Sequence, residues 1–161
     1  MTTKEEKFIA VSHIPSALYV TCAKDNKSGK IDGFLASWVQ QVSFEPLLIS
    51  ICIKSERLSF DSIKEGEVFS MNIVGEHNKQ IMKPFWSGYP EGQSPFDELE
   101  HSISEEGGIV LKDAKSTLIC KAREITSPGD HNLVVAEVLN TIVSNPESET
   151  VVHKRRTAFD Y

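Results

Sequence analysis

The sequence has no long hydrophobic run and only three cysteines. No stretch of its 161 residues approaches 18 consecutive apolar positions, so no transmembrane helix is predicted. The cysteines stand far apart without a CxxC pair, which disfavours both a disulfide framework and a zinc site. The N-terminal segment MTTKEEKF is charged and has no apolar signal-peptide core. We therefore expect a cytoplasmic protein with no membrane association and no structural metal.

Several signatures of nucleotide binding and hydrolysis are also absent. There is no GxGxxG or GxxxxGK[ST] motif, so neither a Rossmann domain nor a P-loop is supported, and there is no GxSxG motif of a hydrolase. A net charge of −6 disfavours nucleic-acid binding, which needs Lys and Arg to neutralise phosphates. The one basic run, residues 153–156, is expected to be a solvated strand end. Any catalysis is therefore expected to use the reactive group of a cofactor.

What is present fits one domain over residues 1–161, because 40% hydrophobic composition suffices for a core of this size. Runs rich in β-branched and aromatic residues predict strands at 17–23, 31–39, 47–53, 67–74, 115–125, 131–143 and 151–152. The third run is almost wholly apolar, which predicts a central strand buried on both faces. Pro128-Gly129, between the two longest strands, predicts a type II turn.

Three short helices are predicted in the middle of the chain, at 59–64, 77–85 and 94–106. Pro84 is expected to end the second helix. The third begins with a Ser94-Pro95 cap and has an apolar stripe of Phe96, Leu99 and Ile103. Strands outnumber helices and do not alternate with them. The predicted fold class is therefore mainly β, a closed or partly closed barrel with short inserted helices.

Three stretches carry the candidate ligand-binding residues. The first is LASWVQQVSFEP, residues 35–46, which reads either as a strand with a solvated polar face or as a wall for a ligand. The second, 55–59, places Arg57 and two serines where a strand ends and a helix is predicted, a setting that suits phosphate or simple exposure. The third is Gly129-Asp130-His131, a turn that presents a histidine for a ligand or for solvent.

Taken in order, these pieces resemble the flavin reductase-like family, the FMN-binding split-barrel proteins. The family signature resembles N-G-x-x-A-S-W-V-x-Q-V-S-F-x-P-P, and Gly33, residues 36–39, residues 41–44 and Pro46 stand in its places. The remaining matching positions follow in sequence order: Arg57 and Ser59, Phe69 and Asn72, Phe85, residues 108–114, residues 118–120, and the Gly-Asp-His turn. The resemblance covers residues 12–155. It favours the ligand wall for the first stretch.

The resemblance implies a homodimer of split barrels that binds FMN, or FAD, near the dimer interface. The implied cofactor-binding residues are Ala36, Ser37, Trp38, Gln41, Val42, Ser43, Ser55, Arg57, Ser59, Asn72, Lys79 and Phe85. Arg57 and Ser59 would bind the phosphate, and Lys79 and Phe85 would close over the flavin. His131 is the implied catalytic residue, facing the ring where relatives place the nicotinamide. Gln40 fits no family position and is expected to face water.

The implied activity is hydride transfer from NADH or NADPH to the flavin, which then passes electrons onward. The expected role of the protein is to orient the two rings and to stabilise developing charge. Two alternatives remain. One is an electron-transfer flavoprotein without its own NAD(P)H turnover, whose partner is another protein. The other is a non-enzymatic split-barrel binding module.

Overall fold

The structure is a computed structural model that describes residues 2–56, 62–87 and 93–155. Its strands are β1 (Ser16–Ala17), β2 (Tyr19–Lys24), β3 (Ile31–Ala36), β4 (Val39–Ser43), β5 (Leu48–Lys54), β6 (Val68–Ile73), β7 (His101–Ile103), β8 (Ile109–Leu111), β9 (Ser116–Thr126), β10 (His131–Val143) and β11 (Val152–His153). Its helices are α1 (Lys4–Ser12), a 3-10 helix (Glu76–Met82), α2 (Lys83–Ser87) and a 3-10 turn (Pro95–Asp97). The mainly β prediction is confirmed.

Seven strands form one antiparallel sheet in the order β3-β2-β6-β9-β10-β5-β4. β3 and β5 also approach each other, so the sheet curls into a half-barrel. Two small two-stranded sheets, β1-β11 and β7-β8, flank it. The curl brings the β3–β4 connection close to the start of β10, which positions the candidate site.

The interior strand β6, third in the order of the sheet, separates two apolar clusters of the core. It alternates side chains to its two faces, and four of its six residues are buried. Phe69 and Met71 belong to one cluster, together with Phe34, Ile51 and Ile53 of neighbouring strands. The other cluster packs the sheet against the helices and contains Val20, Ile81, Phe85, Phe96 and Ile109. β6 therefore has the two buried faces that the sequence suggested for another strand.

That other strand, β5, corrects the prediction for residues 47–53. It lies between β10 and β4, next to the edge of the sheet, and its burial alternates along the strand. Ile49, Ile51 and Ile53 point into the core, whereas Ser50 and Cys52 are half-buried on the other face. A nearly continuous apolar run thus arises here from one buried face and one half-buried face.

The strand predicted over 31–39 divides at Ser37 and Trp38. β3 ends at Ala36 and β4 begins at Val39, whose N–H donates to Ser37 O at 3.2 Å. The N–H of Cys52 donates to Trp38 O at 3.0 Å and fixes the break against β5. Both residues therefore lie where the chain leaves one side of the half-barrel for the other.

Two of the three helix predictions need correction. The first predicted helix lies mostly outside the described residues. In the second segment Pro84 does not end a helix but stands in the first turn of α2, where its missing N–H is tolerated. The third prediction is wrong beyond its cap: Ser94 Oγ does accept a hydrogen bond from Phe96 N, but residues 101–103 form β7 and pair with β8. Gly107, at φ +94°, supplies the turn.

Two other local features differ from expectation. α1 was not predicted, although Thr3 and Glu6 form a capping box that the T-x-x-E spacing could have revealed. The turn before β10 is not type II, since Gly129 is not among the described glycines with positive φ. None of the helices within the described ranges is long and apolar enough to cross a membrane.

Candidate functional site

The break between β3 and β4 lies between two clefts. The first, which we call the Phe85 cleft, has a volume of about 80 Å³ and is lined by Leu18, Leu35, Ala36, Ser37, Phe85 and Trp86. The second, which we call the Arg155 cleft, has a volume of about 540 Å³ and lies between α1 and β4. Its walls include Val11, Ile14, Ser37, Trp38, Gln40 and Arg155. Ser37 borders both clefts.

Ser37 is buried in a way that points to a ligand. The residue is 5% exposed, and its Oγ finds no hydrogen-bond partner among the described residues. A buried hydroxyl without a partner costs roughly 1–3 kcal/mol, and native structures therefore hold few of them. The preceding residue, Ala36, is equally buried and small. Together they offer a polar atom and close access to the backbone.

Trp38 and His131 are brought into contact from positions 93 residues apart in sequence. Their ring centroids lie 4.7 Å apart, and the ring planes are inclined by 31°. His131 begins β10 opposite Lys54 of β5, and its side chain is 14% exposed. Its Nδ1 lies 2.9 Å from Asp130 Oδ1. This hydrogen bond, with the charge of the imidazole, holds the pKa of the Asp130 carboxyl below its ordinary value.

Hydrogen bonds connect Ser55 to the same turn. Ser55 N donates to Asp130 O at 3.1 Å, and Ser55 Oγ accepts from Asn132 Nδ2 at 3.2 Å. Asn132 is buried, and its Oδ1 accepts a hydrogen bond from Ser127 Oγ at 2.6 Å. Sequence reasoning missed Asn132, although an amide directly before a buried apolar run was a usable signal. Arg57 and Ser59 follow on the chain but lie outside the described residues.

The predicted residues of β4 are not brought into either cleft. Gln41 and Val42 are exposed and Ser43 is half-buried, because β4 is the edge strand of the sheet. Gln41 Nε2 donates to Ser43 O at 3.3 Å. Gln40, expected to face water, is exposed but also contributes to the wall of the Arg155 cleft. The cofactor role of the three predicted residues stays a prediction.

Phe85 and Lys79 lie on the helical segment after β6 but in different surroundings. Phe85 is 8% exposed, lines the Phe85 cleft and packs against Phe96, with ring centroids 5.7 Å apart. Lys79 is exposed and pairs with Glu76 at 2.5 Å. The structure thus brings Phe85 to Ser37 and leaves Lys79 on the surface.

Asn72 lies in the interior, where the backbone saturates its amide. Its Nδ2 donates to Val20 O and Ile109 O, both at 3.1 Å. Its Oδ1 accepts from Leu111 N at 2.9 Å and from Thr117 Oγ1 at 2.8 Å. These bonds join β2, β6, β8 and β9. In this structure Asn72 therefore holds the scaffold together, and its predicted cofactor role stays a prediction.

Arg155 was not predicted as a site residue, and the expectation of a solvated strand end is wrong for it. Its guanidinium carbon lies 5.2 Å from the centroid of the Trp38 ring, in a cation–π contact. Its Nη2 donates to Val11 O at 3.4 Å. The basic run gave no sign of this contact, since Trp38 and Arg155 are far apart in sequence.

The family comparison matches residues 11–160 to the flavin reductase like domain. Among curated proteins, diflavin flavoprotein A 1 of Synechocystis sp. is 32% identical over 154 residues, which cover 94% of this chain and 26% of that protein. The chain therefore spans about a quarter of the length of the curated relatives it matches.

Solved structures of proteins named as a flavin reductase or an NADH:FAD oxidoreductase share the fold at low identity. The NADH:FAD oxidoreductase SgcE6 of Streptomyces globisporus superposes with a TM-score of 0.80 at 20% identity, over 91% of this chain and 85% of that one. The styrene monooxygenase flavin reductase of Pseudomonas putida S12 gives a TM-score of 0.77 at 18% identity, over 94% and 92%. The half-barrel is thus the split barrel expected from the sequence. With the family match over nearly its whole length, the chain belongs to the flavin reductase like domain family.

Proposed function

We propose that this protein binds FMN between Ser37 and His131 and catalyses hydride transfer to it from NADH or NADPH. The observation that carries the proposal is the buried Ser37 hydroxyl, without a partner among the described residues, beside the Trp38–His131 contact. The family membership supports a flavin reductase, and the similar Streptomyces globisporus protein is named an NADH:FAD oxidoreductase. FAD is the alternative flavin.

The residues at the break fit a flavin. Ala36 and Ser37 are small enough for a planar ring system to approach the backbone, and the Ser37 hydroxyl can donate to or accept from its polar edge. Phe85 and Trp38 supply apolar walls on either side of Ser37. Arg57 and Ser59 are proposed to hold the phosphate. When bound, the flavin supplies the centre that accepts the hydride.

The side chains around the break orient the reactants and exclude water. The Asp130 hydrogen bond fixes the His131 ring, and the contact with Trp38 restrains it from a second side. Asn132 and Ser55 hold the turn that carries His131 against the end of β5. We propose that His131, preorganised in this way, positions the nicotinamide. Preorganised groups of this kind lower a barrier without reorganising during the reaction.

An absorption spectrum of the protein as purified tests the proposal, followed by FMN titration and then by NADH or NADPH in the absence of air. We expect a flavin spectrum, or quenching of FMN fluorescence at micromolar protein, and bleaching of the flavin by one nicotinamide. No quenching would contradict the proposal and favour the ligand-free binding module.

A second candidate, an electron-transfer flavoprotein without its own NAD(P)H turnover, has its own support. The curated relatives are about four times as long as this chain, so the domain they share with it occurs beside others. In this candidate the electron partner is another protein or domain. Flavin binding without bleaching by either nicotinamide, but with bleaching by a chemical reductant, would favour it.

We also propose that two copies of the chain associate through β4. Val42, Phe44 and Leu47, on β4 and the turn that follows, are 51%, 88% and 41% exposed, an apolar group on an unpaired strand edge. Sedimentation is expected to give twice the 17.9 kDa of the chain, and Phe44→Glu is expected to weaken the dimer. A monomer at every concentration would exclude this homodimer.

A cytoplasmic location is proposed from the thiols. Cys22, Cys52 and Cys120 are all unpaired. Burial raises the pKa of the Cys22 thiol, and raises that of Cys120 to about 12, so neither is a reactive thiolate at neutral pH. Free, unreactive thiols suit a reducing compartment.

Ser37→Ala tests the ligand wall directly. The variant loses a hydroxyl that has no partner within the described part of the chain, so the free energy of unfolding is expected to stay the same or rise slightly. FMN affinity is expected to fall by about 1 kcal/mol, the scale of one hydrogen bond. Urea unfolding without flavin and fluorescence titration with FMN separate the two effects. A loss of stability with unchanged affinity would make Ser37 structural.

Arg57→Ala tests the phosphate site predicted from the sequence. FMN affinity is expected to fall by more than about 1.5 kcal/mol, because a charge-assisted hydrogen bond to the phosphate is lost. Riboflavin, which lacks the phosphate, serves as the control ligand and should bind both proteins equally. An unchanged FMN affinity would remove Arg57 from the site.

A further inference from the structure

The Arg155 cleft contains a positive charge that the described residues leave unneutralised. No carboxylate in the described ranges pairs with Arg155, and its one hydrogen bond there is the 3.4 Å contact from Nη2 to Val11 O. Its Nε is buried without a partner in the same part of the chain. A guanidinium has five N–H donors in a planar fork that matches the oxygens of phosphate or carboxylate. The Arg155 side chain can thus bind an anion.

Two serines also line this cleft. The Oγ atoms of Ser16 and Ser37 are buried, and neither has a partner among the described residues. The proposed flavin engages the Ser37 hydroxyl, so Ser16 Oγ and Arg155 Nε are the two buried polar groups that remain. Leaving both unsatisfied is costly, whereas a ligand with several oxygens would satisfy them together. Arg155 and Ser16 therefore form a polar region at one end of the cleft.

The remaining walls are apolar. Val11, Ile14 and Pro15 come from α1 and the segment after it, and Trp38 lies opposite, beneath Arg155. A volume of about 540 Å³ is within the range of clefts that hold a nucleotide-sized molecule. The ligand that fits carries phosphate or carboxylate oxygens at one end and an apolar, ring-containing part at the other.

The position of the cleft selects among such ligands. Trp38 borders it and also contacts His131, at a ring-centroid distance of 4.7 Å. In the proposed function His131 positions the nicotinamide ring. A dinucleotide that extends from His131 past Trp38 would place its adenosine half in the Arg155 cleft. We propose that this cleft binds the adenosine phosphate half of the reduced nicotinamide dinucleotide, with a phosphate on Arg155. The inference rests on the proposed function, because it takes NADH or NADPH as the substrate.

Equilibrium binding to the full chain tests the inference without turnover. Adenosine 5′-monophosphate and adenosine 2′,5′-bisphosphate are titrated by calorimetry into the unaltered protein, Arg155→Ala and Lys154→Ala. Arg155→Ala is expected to weaken binding by about 10- to 100-fold, the effect of losing a charge-assisted phosphate contact. Lys154 is the matched control, because it is exposed and its replacement removes the same charge from the next position. It is expected to change affinity less than about twofold.

The two probes identify the phosphate. If Arg155→Ala weakens only the bisphosphate, Arg155 binds the 2′-phosphate and the protein is specific for NADPH. If it weakens both probes equally, Arg155 binds the 5′-phosphate that the two dinucleotides share. Arg155→Lys, which keeps the charge, should retain part of the affinity and shows that the alanine effect is not a folding defect.

Three results would overturn the inference: neither probe binds the unaltered protein, Arg155→Ala and Lys154→Ala behave alike, or Arg155→Ala weakens FMN instead of the adenosine phosphates. Failure of the proposed function is seen separately, as a bound flavin that neither NADH nor NADPH reduces in the unaltered protein. The inference alone is contradicted if the flavin is reduced normally and Arg155→Ala still binds both adenosine phosphates as tightly as the unaltered protein.

Discussion

Replacing Asn72 with alanine is expected to lower the free energy of unfolding by about 3 kcal/mol or more. The side chain is fully buried and makes four hydrogen bonds of 2.8 to 3.1 Å with backbone and hydroxyl groups. The alanine variant leaves Leu111 N, Ile109 O and the Thr117 hydroxyl inside the protein without that partner. Because β8 belongs to another sheet, the loss also loosens the contact of β8 with β2 and β6.

Urea unfolding followed by circular dichroism measures this effect. Asn140→Ala is the control, since Asn140 is exposed and its amide bonds only to the Glu106 carboxylate and to the N–H of the adjacent Thr141 among the described residues. It is expected to change stability by less than about 0.5 kcal/mol. The flavin affinity of folded Asn72→Ala, measured at low temperature, should stay within about twofold. A variant of normal stability with lost flavin affinity would restore the cofactor role that the sequence suggested for Asn72.

Asn72 illustrates what a family resemblance can and cannot say. The F-x-x-N spacing singled out the residue, and alternation correctly placed it on a strand. The role was not readable, because an amide has the same donors and acceptors for a flavin as for a backbone carbonyl. Only the positions of β2, β8 and β9 show which groups it meets.

Strands with a local signal were predictable, and elements decided by distant pairing were not. β9 and β10 pair across a short turn, and their β-branched, alternating residues suffice to identify them. The segment after Ser94 has a correct helix cap and a helical apolar spacing. It nevertheless becomes β7, because Ile103 pairs with Ile109 and the glycine between them permits the turn. The local sequence does not show that pairing with β8 is more favourable here than a helix.

The candidate site divides in the same way. Ser37, Trp38 and His131 were named from the sequence, and the structure places them around one break in the sheet. Arg155 was read as part of a charged strand end, because nothing near it in sequence shows that β1 pairs with β11 and carries it to Trp38. Each cleft is formed by residues that are far apart in sequence. A residue such as Arg155, which reaches a cleft only because β1 pairs with β11, therefore could not be identified from the sequence.

His131→Ala is expected to slow hydride transfer by about 10- to 100-fold while FMN affinity stays within about twofold. The reason is positional: His131 lies beside Trp38 at the mouth of the break, restrained by Asp130, and misplacing a reacting ring by about 1 Å can cost 100-fold in rate. The flavin keeps its other proposed contacts, from Ser37, Arg57 and Phe85.

Anaerobic stopped-flow mixing of the FMN-loaded protein with NADH, or with NADPH if that is the reductant, measures the rate as loss of flavin absorbance. His77→Ala is the matched control. Like His131, His77 makes a short side-chain hydrogen bond through Nδ1, here to Ser148 Oγ at 2.8 Å. It lies on the 3-10 helix and not beside Trp38. It should leave the rate unchanged. Equal losses of rate and FMN affinity in His131→Ala would make the histidine a flavin anchor, and an unchanged rate would exclude it from the reaction.

Asp130→Asn distinguishes the contribution of the His131 ring from that of the Asp130 carboxylate that restrains it. Asparagine keeps the size of the side chain and loses the charge that Nδ1 now faces at 2.9 Å. If preorganisation is what His131 contributes, this variant should slow hydride transfer by less than His131→Ala, at about 3- to 10-fold, with FMN affinity again retained. A rate equal to that of the unaltered protein, together with a slow His131→Ala, would mean that contact with Trp38 alone suffices to hold the ring. The order of the two rates therefore identifies which neighbour positions the histidine.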